Sequence, residues 1–377
     1  MATASLFQAH FTDKGDFVLK TYKVGIIGAT GMVGQRLITL LSCHPWFKIA
    51  VLAASERSAG KTYEKAVFGR WAMHSPIPES VKNMVLFDAD KDAEKIAETV
   101  DFVFCAINLD KEVTKALEEK YTKLECPVMS NNSANRNVPD VPMIIPEINP
   151  EHAEIVKYQR ERLGIKRGFI AAKSNCSIQS YVPALHPLRE FGIEKVLVCT
   201  YQAISGAGKN FSRWPEMIDN VIPYINGEEV KSELEPLKIW GRIYGKEIIN
   251  ADMPNITSQC LRVPVSDGHT AAVFVKFKQK PNIDEIKKRW SEYKGEPQIL
   301  GLPSAPKQFL KYFYEPDRPQ AKLDRDFEQG MGVTIGRLRE DSQYDYKFVC
   351  LSHNTIRGAA GGNILMAELF AAKGYFD

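Results

Sequence analysis

Three glycines carry the first chemical signal. Residues 25–34 read Gly-Ile-Ile-Gly-Ala-Thr-Gly-Met-Val-Gly, so Gly28, Gly31 and Gly34 recur at every third position between an apolar run and a helical one. Such a turn needs backbone angles that side chains disfavour, and it lets a pyrophosphate approach the main chain closely. N–H groups at the helix start then hold the anion. The pattern reads as a dinucleotide-binding turn with contacts at Gly28, Thr30, Gly31, Met32 and Val33. A ligand-free strand-to-helix turn is the alternative. Further on, where NAD binders usually place an acid for the ribose hydroxyls, the chain has Ser55, Glu56, Arg57 and Ser58. Ser55, Arg57 and Ser58 suit a 2′-phosphate, because Arg can pair and stack there. NADP is therefore expected, although Glu56 argues for NAD unless it points out of the loop.

The second signal is a cysteine. In Ala172-Lys173-Ser174-Asn175-Cys176-Ser177-Ile178, a short apolar strand ends and an apolar helical run begins. A thiol at a helix N-terminus is expected to ionise more easily, and the thiolate is the nucleophilic form. The turn's own backbone N–H groups are expected to stabilise a tetrahedral oxyanion. A buried structural cysteine is the alternative. An acid–base partner is sought among seven histidines. His269, in Arg262-Val263-Pro264-Val265-Ser266-Asp267-Gly268-His269, sits at a turn before a long strand and close to a basic residue. His44, His74 and His186 have weaker settings.

These residues need a scaffold. From Tyr22 strands alternate with helices: strands at 23–28, 48–53, 101–107 and from 127, helices at 32–43 and around Val113, Leu117, Tyr121 and Leu124. That alternation predicts βαβ units and a mostly parallel sheet. After about residue 150 long strands dominate, at 195–203, 269–279, 332–337 and 346–352, with a helix carrying Ile283, Ile286 and Trp290. This predicts an α+β domain with an antiparallel or mixed sheet. A last helix is expected over 361–376.

Composition narrows the classes. The 377 residues are 44% hydrophobic and 25% charged, which excludes disorder, and no apolar run is long enough to span a membrane. Lys and Arg number 49 against 46 Asp and Glu, and the basic residues are dispersed, so no nucleic-acid footprint exists. The seven cysteines lack C-x-x-C spacing and suit a reducing cytosol; no metal site is expected.

Taken in order, the glycine turn, the Ser-Asn-Cys-Ser turn and the Arg-Val-Pro-Val-Ser-Asp-Gly-His segment resemble the aspartate-β-semialdehyde dehydrogenases of fungi and archaea. Further matching segments are Asn132-Ser133-Ala134-Asn135-Arg136, Pro146-Glu147-Ile148-Asn149, residues 200–208 and residues 227–231. The resemblance implies an α/β fold with a Rossmann-type NADP domain over 22–150 and an α+β catalytic and dimerisation domain over 151–355. Residues 1–21 would be an extension, and the 356–377 segment would pack back on the first domain. It also implies NADPH-dependent reductive dephosphorylation of L-aspartyl-4-phosphate, through a cysteine thioester, in the pathway to threonine, methionine and isoleucine. Phosphate would be the co-product, and the enzyme would be a cytoplasmic homodimer or homotetramer.

Site roles follow from the same resemblance. Cys176 would be the nucleophile, His269 the acid–base group and Gln202 the orienting amide. Arg262 would pair with the substrate carboxylate and Glu228, or Glu229 one register on, with its ammonium. Arg136, Lys231 and Asn132 would hold phosphate, while Ser205, Gly206 and Asn363 would touch the cofactor. A malonyl-CoA reductase, an N-acetyl-glutamyl-phosphate reductase or a non-catalytic NADP sensor on the same scaffold are the alternatives. An acid at Glu228 is wasted on an acylated amine, and a phosphate pocket is wasted on a CoA thioester.

Overall fold

The computed structural model describes residues 10–11, 17–18 and 20–377. Within the extension expected over 1–21, His10–Phe11 pairs antiparallel with Phe17–Val18, and the rest up to residue 19 lies outside the described residues. The chain forms two compact units. The first comprises the described residues up to Pro142 with Ala153–Lys173 and Asn363–Asp377; the second comprises Met143–His152 and Ser174–Gly362.

In the first unit six parallel strands lie in the spatial order Phe87–Asp88, Phe47–Ala54, Tyr22–Ile27, Phe102–Cys105, Val128–Ser130 and Ile170–Lys173. Strands such as Phe102–Cys105 are buried throughout, as expected of a parallel sheet covered on both faces. The chain leaves Tyr22–Ile27 toward one neighbour and later returns on its other side. That reversal opens a crevice at the strand's carboxyl end, where doubly wound sheets bind ligands. The helix Lys111–Lys123 starts at Asp110, whose side chain accepts from Glu112 N at 2.9 Å. Its buried face is Thr114, Leu117, Glu118 and Tyr121. This corrects the expected apolar stripe: Val113 is 53% exposed, whereas Glu118 is buried. The Glu118 carboxylate accepts from Ser130 Oγ at 2.5 Å, Asn132 Nδ2 at 2.8 Å and Asn135 Nδ2 at 2.7 Å, which makes its burial tolerable.

The second unit holds a mixed six-stranded sheet in the order Asn255–Arg262, Ile193–Gln202, His269–Phe277, Tyr346–Ser352, Val333–Glu340 and Leu310–Phe313. The first pair and the last pair are parallel and the rest antiparallel. Strand alternation puts Val196, Val198, Ala271, Val273 and Phe348 in a core with Ile178, Val182 and Leu185 of the helix Ile178–Leu185. Trp290 of the helix Ile283–Glu292 fills the same core and donates its indole N–H to Ala184 O at 2.7 Å. Among the elements not expected from the sequence are the helix Glu228–Ile239 and the strands Asn255–Arg262 and Leu310–Phe313.

Candidate active site

Strand register decides which side chains of the second unit meet. Gln202 pairs with Arg262 across the parallel strands, and Tyr201 pairs with Thr270 across the antiparallel ones. Gln202, Arg262 and His269 therefore reach one end of three adjacent strands, all on the buried face. Cys176 lies in the turn before the helix Ile178–Leu185, and its Sγ is 3.5 Å from His269 Nε2. Ala203 N donates to His269 Nδ1 at 3.0 Å, and Ala203 O accepts from Arg262 Nη1 at 2.7 Å.

Two glycines make room for these groups. A Cβ on Gly206 would lie 2.8 Å from Arg262 Nη1 and 3.1 Å from His269 Nε2. A Cβ on Gly358 would lie 2.9 Å from Cys176 Cβ. Both distances are too short for an ordinary carbon contact.

The helix Glu228–Ile239 supplies the acidic side of the site. Glu228, Ser232 and Glu235, spaced to share one helix face, are all buried. Glu228 accepts from Lys231 Nζ at 2.9 Å, from Asn175 Nδ2 at 3.1 Å and from Gln202 Nε2 at 3.2 Å. Burial alone would raise its carboxyl, but the Lys231 ammonium and the two amide donors outweigh it and hold the group below its ordinary value. Glu229 instead accepts from Cys260 N at 3.1 Å. Of the two registers, the structure brings Glu228 to the cysteine turn. Burial pulls the Arg262 guanidinium down, against the neighbouring charges of Cys176 and Glu228.

The cysteine turn departs from expectation in one respect. Asn175 N donates to Glu235 Oε2 at 2.6 Å, and Ser177 N donates to Asn175 Oδ1 at 2.7 Å. These two amides, Asn175 N and Ser177 N, are committed within the protein and are not themselves offered to an oxyanion. Asn175 and Glu235 were missed in the sequence; the Glu228, Ser232, Glu235 spacing was the available signal. Behind the turn, Ser174 Oγ accepts from Gln179 Nε2 at 2.7 Å, and Gln179 Oε1 accepts from Arg357 Nε at 3.0 Å. Arg357 is fully buried and forks onto Glu147, with Nη1 to Oε1 at 2.6 Å.

In the first unit the glycine turn is closely braced. Gly28 N and Ala29 N donate to Ala53 O at 2.9 and 3.0 Å, and Tyr63 Oη donates to Ala29 O at 3.0 Å. A Cβ on Gly28 would fall 2.4 Å from Ala106 O, and one on Gly34 would fall 2.3 Å from Gly28 O. Gly31 precedes the helix Met32–Leu41 with no side-chain cap, which leaves the N–H groups of its first turn for a ligand. A pocket beside the turn is lined by Thr30, Ser55, Arg57, Ser58, Lys61 and Arg70, among others. This hydroxyl-rich, cationic lining fits the phosphates of a dinucleotide and an extra 2′-phosphate. Glu56, the residue that argued for NAD, is exposed and pairs with Lys91 at 2.5 Å, and it is not among the residues lining this pocket. Asn363 donates to Met129 O at 3.0 Å, while its buried Oδ1 has no partner, an acceptor left for a ligand amide.

Other candidate residues are engaged elsewhere. The Asn132 amide donates to the buried Glu118 at 2.8 Å. Ser205 Oγ accepts from Asn354 Nδ2 at 2.9 Å. Arg136 is buried, with Nη2 donating to Asn131 O at 3.3 Å. No helix of the described residues is long and apolar enough to cross a membrane.

Two family models match, described as "Semialdehyde dehydrogenase, NAD binding domain" over residues 23–156 and "Semialdehyde dehydrogenase, dimerisation domain" over residues 185–357. The chain is 43% identical over 362 residues to the aspartate-semialdehyde dehydrogenase of Aspergillus fumigatus, covering 94% of this chain and 98% of that one. It is 42% identical over 348 residues to the aspartate-semialdehyde dehydrogenase of Archaeoglobus fulgidus, covering 92% and 97%. The crystal structure of the Candida albicans aspartate semialdehyde dehydrogenase with NADP superposes with a TM-score of 0.85 at 40% identity, covering 94% of this chain and 100% of that one. With these matches spanning nearly its whole length, the chain belongs to the aspartate-semialdehyde dehydrogenase family.

Proposed function

We propose that this protein reduces L-aspartyl-4-phosphate to L-aspartate-4-semialdehyde with NADPH, releasing phosphate, through a thioester on Cys176. The observation that carries the reading is the cluster of Cys176, His269, Arg262 and Glu228 in one unit. A nucleophile, a hydrogen-bonding imidazole, a cation and an anion together match a zwitterionic acyl substrate. Cys176 attacks the acyl carbon, and the displaced phosphate leaves a thioester, which divides one difficult step into two. NADPH, when bound, supplies the hydride that takes the acyl carbon to the aldehyde level. Thr30, Ser55, Arg57 and Ser58 are the residues we assign to its phosphates, with the helix start at Met32 and Val33.

Arg262 pairs with the substrate α-carboxylate and Glu228 with its ammonium group. Gln202 fixes the Glu228 carboxylate. Arg136 and Lys231 are assigned to the phosphate on the strength of the family resemblance. An ionised Glu228 disfavours both an N-acetylated substrate and a simple CoA thioester, since neither offers it a cation.

We further infer a homo-oligomer built through the second unit. The match to a dimerisation domain supports this, as does Tyr201, 39% exposed on the outer face of the sheet. All seven cysteines are free thiols, which suits a reducing cytosol. The test is to follow NADPH absorbance with aspartate semialdehyde, NADP and phosphate. Phosphate-dependent NADPH formation is expected. Retained NADP binding without turnover would overturn the enzyme reading in favour of a cofactor sensor.

A further inference from the structure

The turn that carries Cys176 is backed by a buried chain of polar groups that ends on an ion pair. Ser174 is fully buried, and its Oγ accepts from Gln179 Nε2 at 2.7 Å. Gln179 Oε1 accepts in turn from Arg357 Nε at 3.0 Å. The other arms of the guanidinium grip both carboxylate oxygens of Glu147, with Nη1 to Oε1 at 2.6 Å, and its carbon lies 4.7 Å from the centre of the Phe309 ring. Glu147 is itself clamped. Tyr293 Oη donates to its carbonyl at 2.5 Å, and a Cβ on Gly295 would fall 2.5 Å from its Cα. Arg357 also reaches the thiol by a second route. It lies in the π-helical turn Ile356–Ala360, a wide form of helix that is frequent at functional sites. The next residue of that turn, Gly358, packs so closely that a Cβ on it would come 2.9 Å from Cys176 Cβ. One side chain therefore braces residue 174 from behind, while its own backbone neighbour abuts residue 176.

A buried ion pair of this kind does little for stability. Taking both charges out of water offsets most of their attraction, and an apolar pair of similar volume is often as stable. What the guanidinium offers over an apolar side chain is direction, a planar fork with fixed donor angles. We propose that Arg357 is a positioning residue for the reaction. Anchored on Glu147, it fixes the Cys176 turn through Gln179 and Gly358, and so sets the place of Sγ beside His269 Nε2, 3.5 Å away. The acyl carbon is held from other elements, by Arg262 and Glu228. The sulfur must meet it at near-contact distance, and a misplacement of about 1 Å costs about 10²-fold in rate. The charged ends of the substrate are gripped by residues outside this chain of contacts, so turnover suffers more than substrate binding when Arg357 is lost.

This inference rests on the enzyme reading above but is tested separately. In the full-length enzyme, Arg357→Met is combined with Glu147→Leu, which removes both charges and strands neither. The denaturant midpoint is expected to stay at or above that of wild type. Over the same change kcat should fall at least about tenfold, with KM for aspartate semialdehyde moving by less than about threefold. Iodoacetamide labelling of the peptide that contains Cys176, followed by mass spectrometry, should slow at least about fivefold, since reactivity follows the thiolate and its setting. A folded double variant with either wild-type kcat or wild-type labelling would overturn the proposal and leave the pair purely structural. Should the double variant fail to fold, Gln179→Met cuts the relay and keeps the ion pair. The same falls in kcat and labelling are expected there, and a wild-type value of either would overturn the proposal. Absent turnover in the wild-type protein would instead remove the enzyme reading, and the labelling comparison would still decide the role of Arg357.

Discussion

The glycine turn of the first unit and the thiol site of the second are built from different material. The turn is local: within ten residues the chain supplies the strand, the tight bend and the open helix start, and its chemistry is mostly backbone N–H. Its tolerances are correspondingly backbone tolerances, with Gly28 and Gly34 facing carbonyl oxygens at distances no side chain allows. The thiol site is assembled from far-apart segments. Cys176, Gln202, Glu228, Arg262, His269 and Gly358 come from separate elements, and strand register and one helix face bring them together. A local site announces itself in sequence; an assembled one shows only as scattered residues until the sheet is known.

Substitutions can break or sharpen this contrast. The largest effect is expected at Cys176→Ser. Turnover should fall by about 10⁴ or more, as when a nucleophile that acts as part of a unit is removed, while NADP affinity in a binding titration stays near wild type. Wild-type-like turnover would remove Cys176 from its role. Next is Arg262→Leu, which deletes a buried cation and its bond to the Ala203 carbonyl. A loss of about 2–5 kcal/mol in kcat/KM for the amino-acid substrate is expected, and unchanged substrate kinetics would contradict the carboxylate assignment.

The first unit should respond more mildly and in another observable. Arg57→Ala should weaken NADP binding by about 10- to 100-fold, the worth of a charged hydrogen bond, and leave NAD binding nearly unaffected. Equal losses for both cofactors would move the 2′-phosphate elsewhere. Gly34→Ala should cost about 1–3 kcal/mol of stability through overpacking, read as a lower denaturant midpoint.

The smallest expected effect is a flat line. Glu228 is held below its ordinary value of 4.5. It therefore stays ionised above that pH, and its favourable interactions are lost only as pH falls through the depressed value. KM for the amino-acid substrate should show no step from a carboxylate between about pH 5 and 8. A step in that window would mean that Glu228 does not hold the ammonium, or that its partners do not hold it ionised.

Much of this could be read beforehand, for physical reasons that differ by element. The strand Tyr22–Ile27, the turn after it and the cysteine turn are short and flanked by strong apolar runs, so pattern alone located them. The helix Glu228–Ile239 escaped because Pro236 interrupts it and its buried face carries Glu228, Ser232 and Glu235 in place of apolar residues. The strand Asn255–Arg262 escaped because it is a half-exposed edge strand with polar Thr257, Ser258 and Gln259. Asn132 and Asn175 could not be told apart by type. The first is absorbed by the buried Glu118, and the second ties the cysteine turn to Glu228. The commitment of the Asn175 amide was likewise invisible locally, because its acceptor, Glu235, is remote in sequence.

The central claim is that the acyl group passes through Cys176, and it can be tested without measuring turnover. The enzyme is mixed with aspartyl phosphate in the absence of NADPH, quenched in acid, digested and analysed by mass spectrometry. An aspartyl adduct is expected on the peptide containing Cys176, absent in Cys176→Ser and lost on adding phosphate before the quench. An unmodified Cys176 peptide in enzyme that turns over normally once NADPH is supplied would contradict the thioester route.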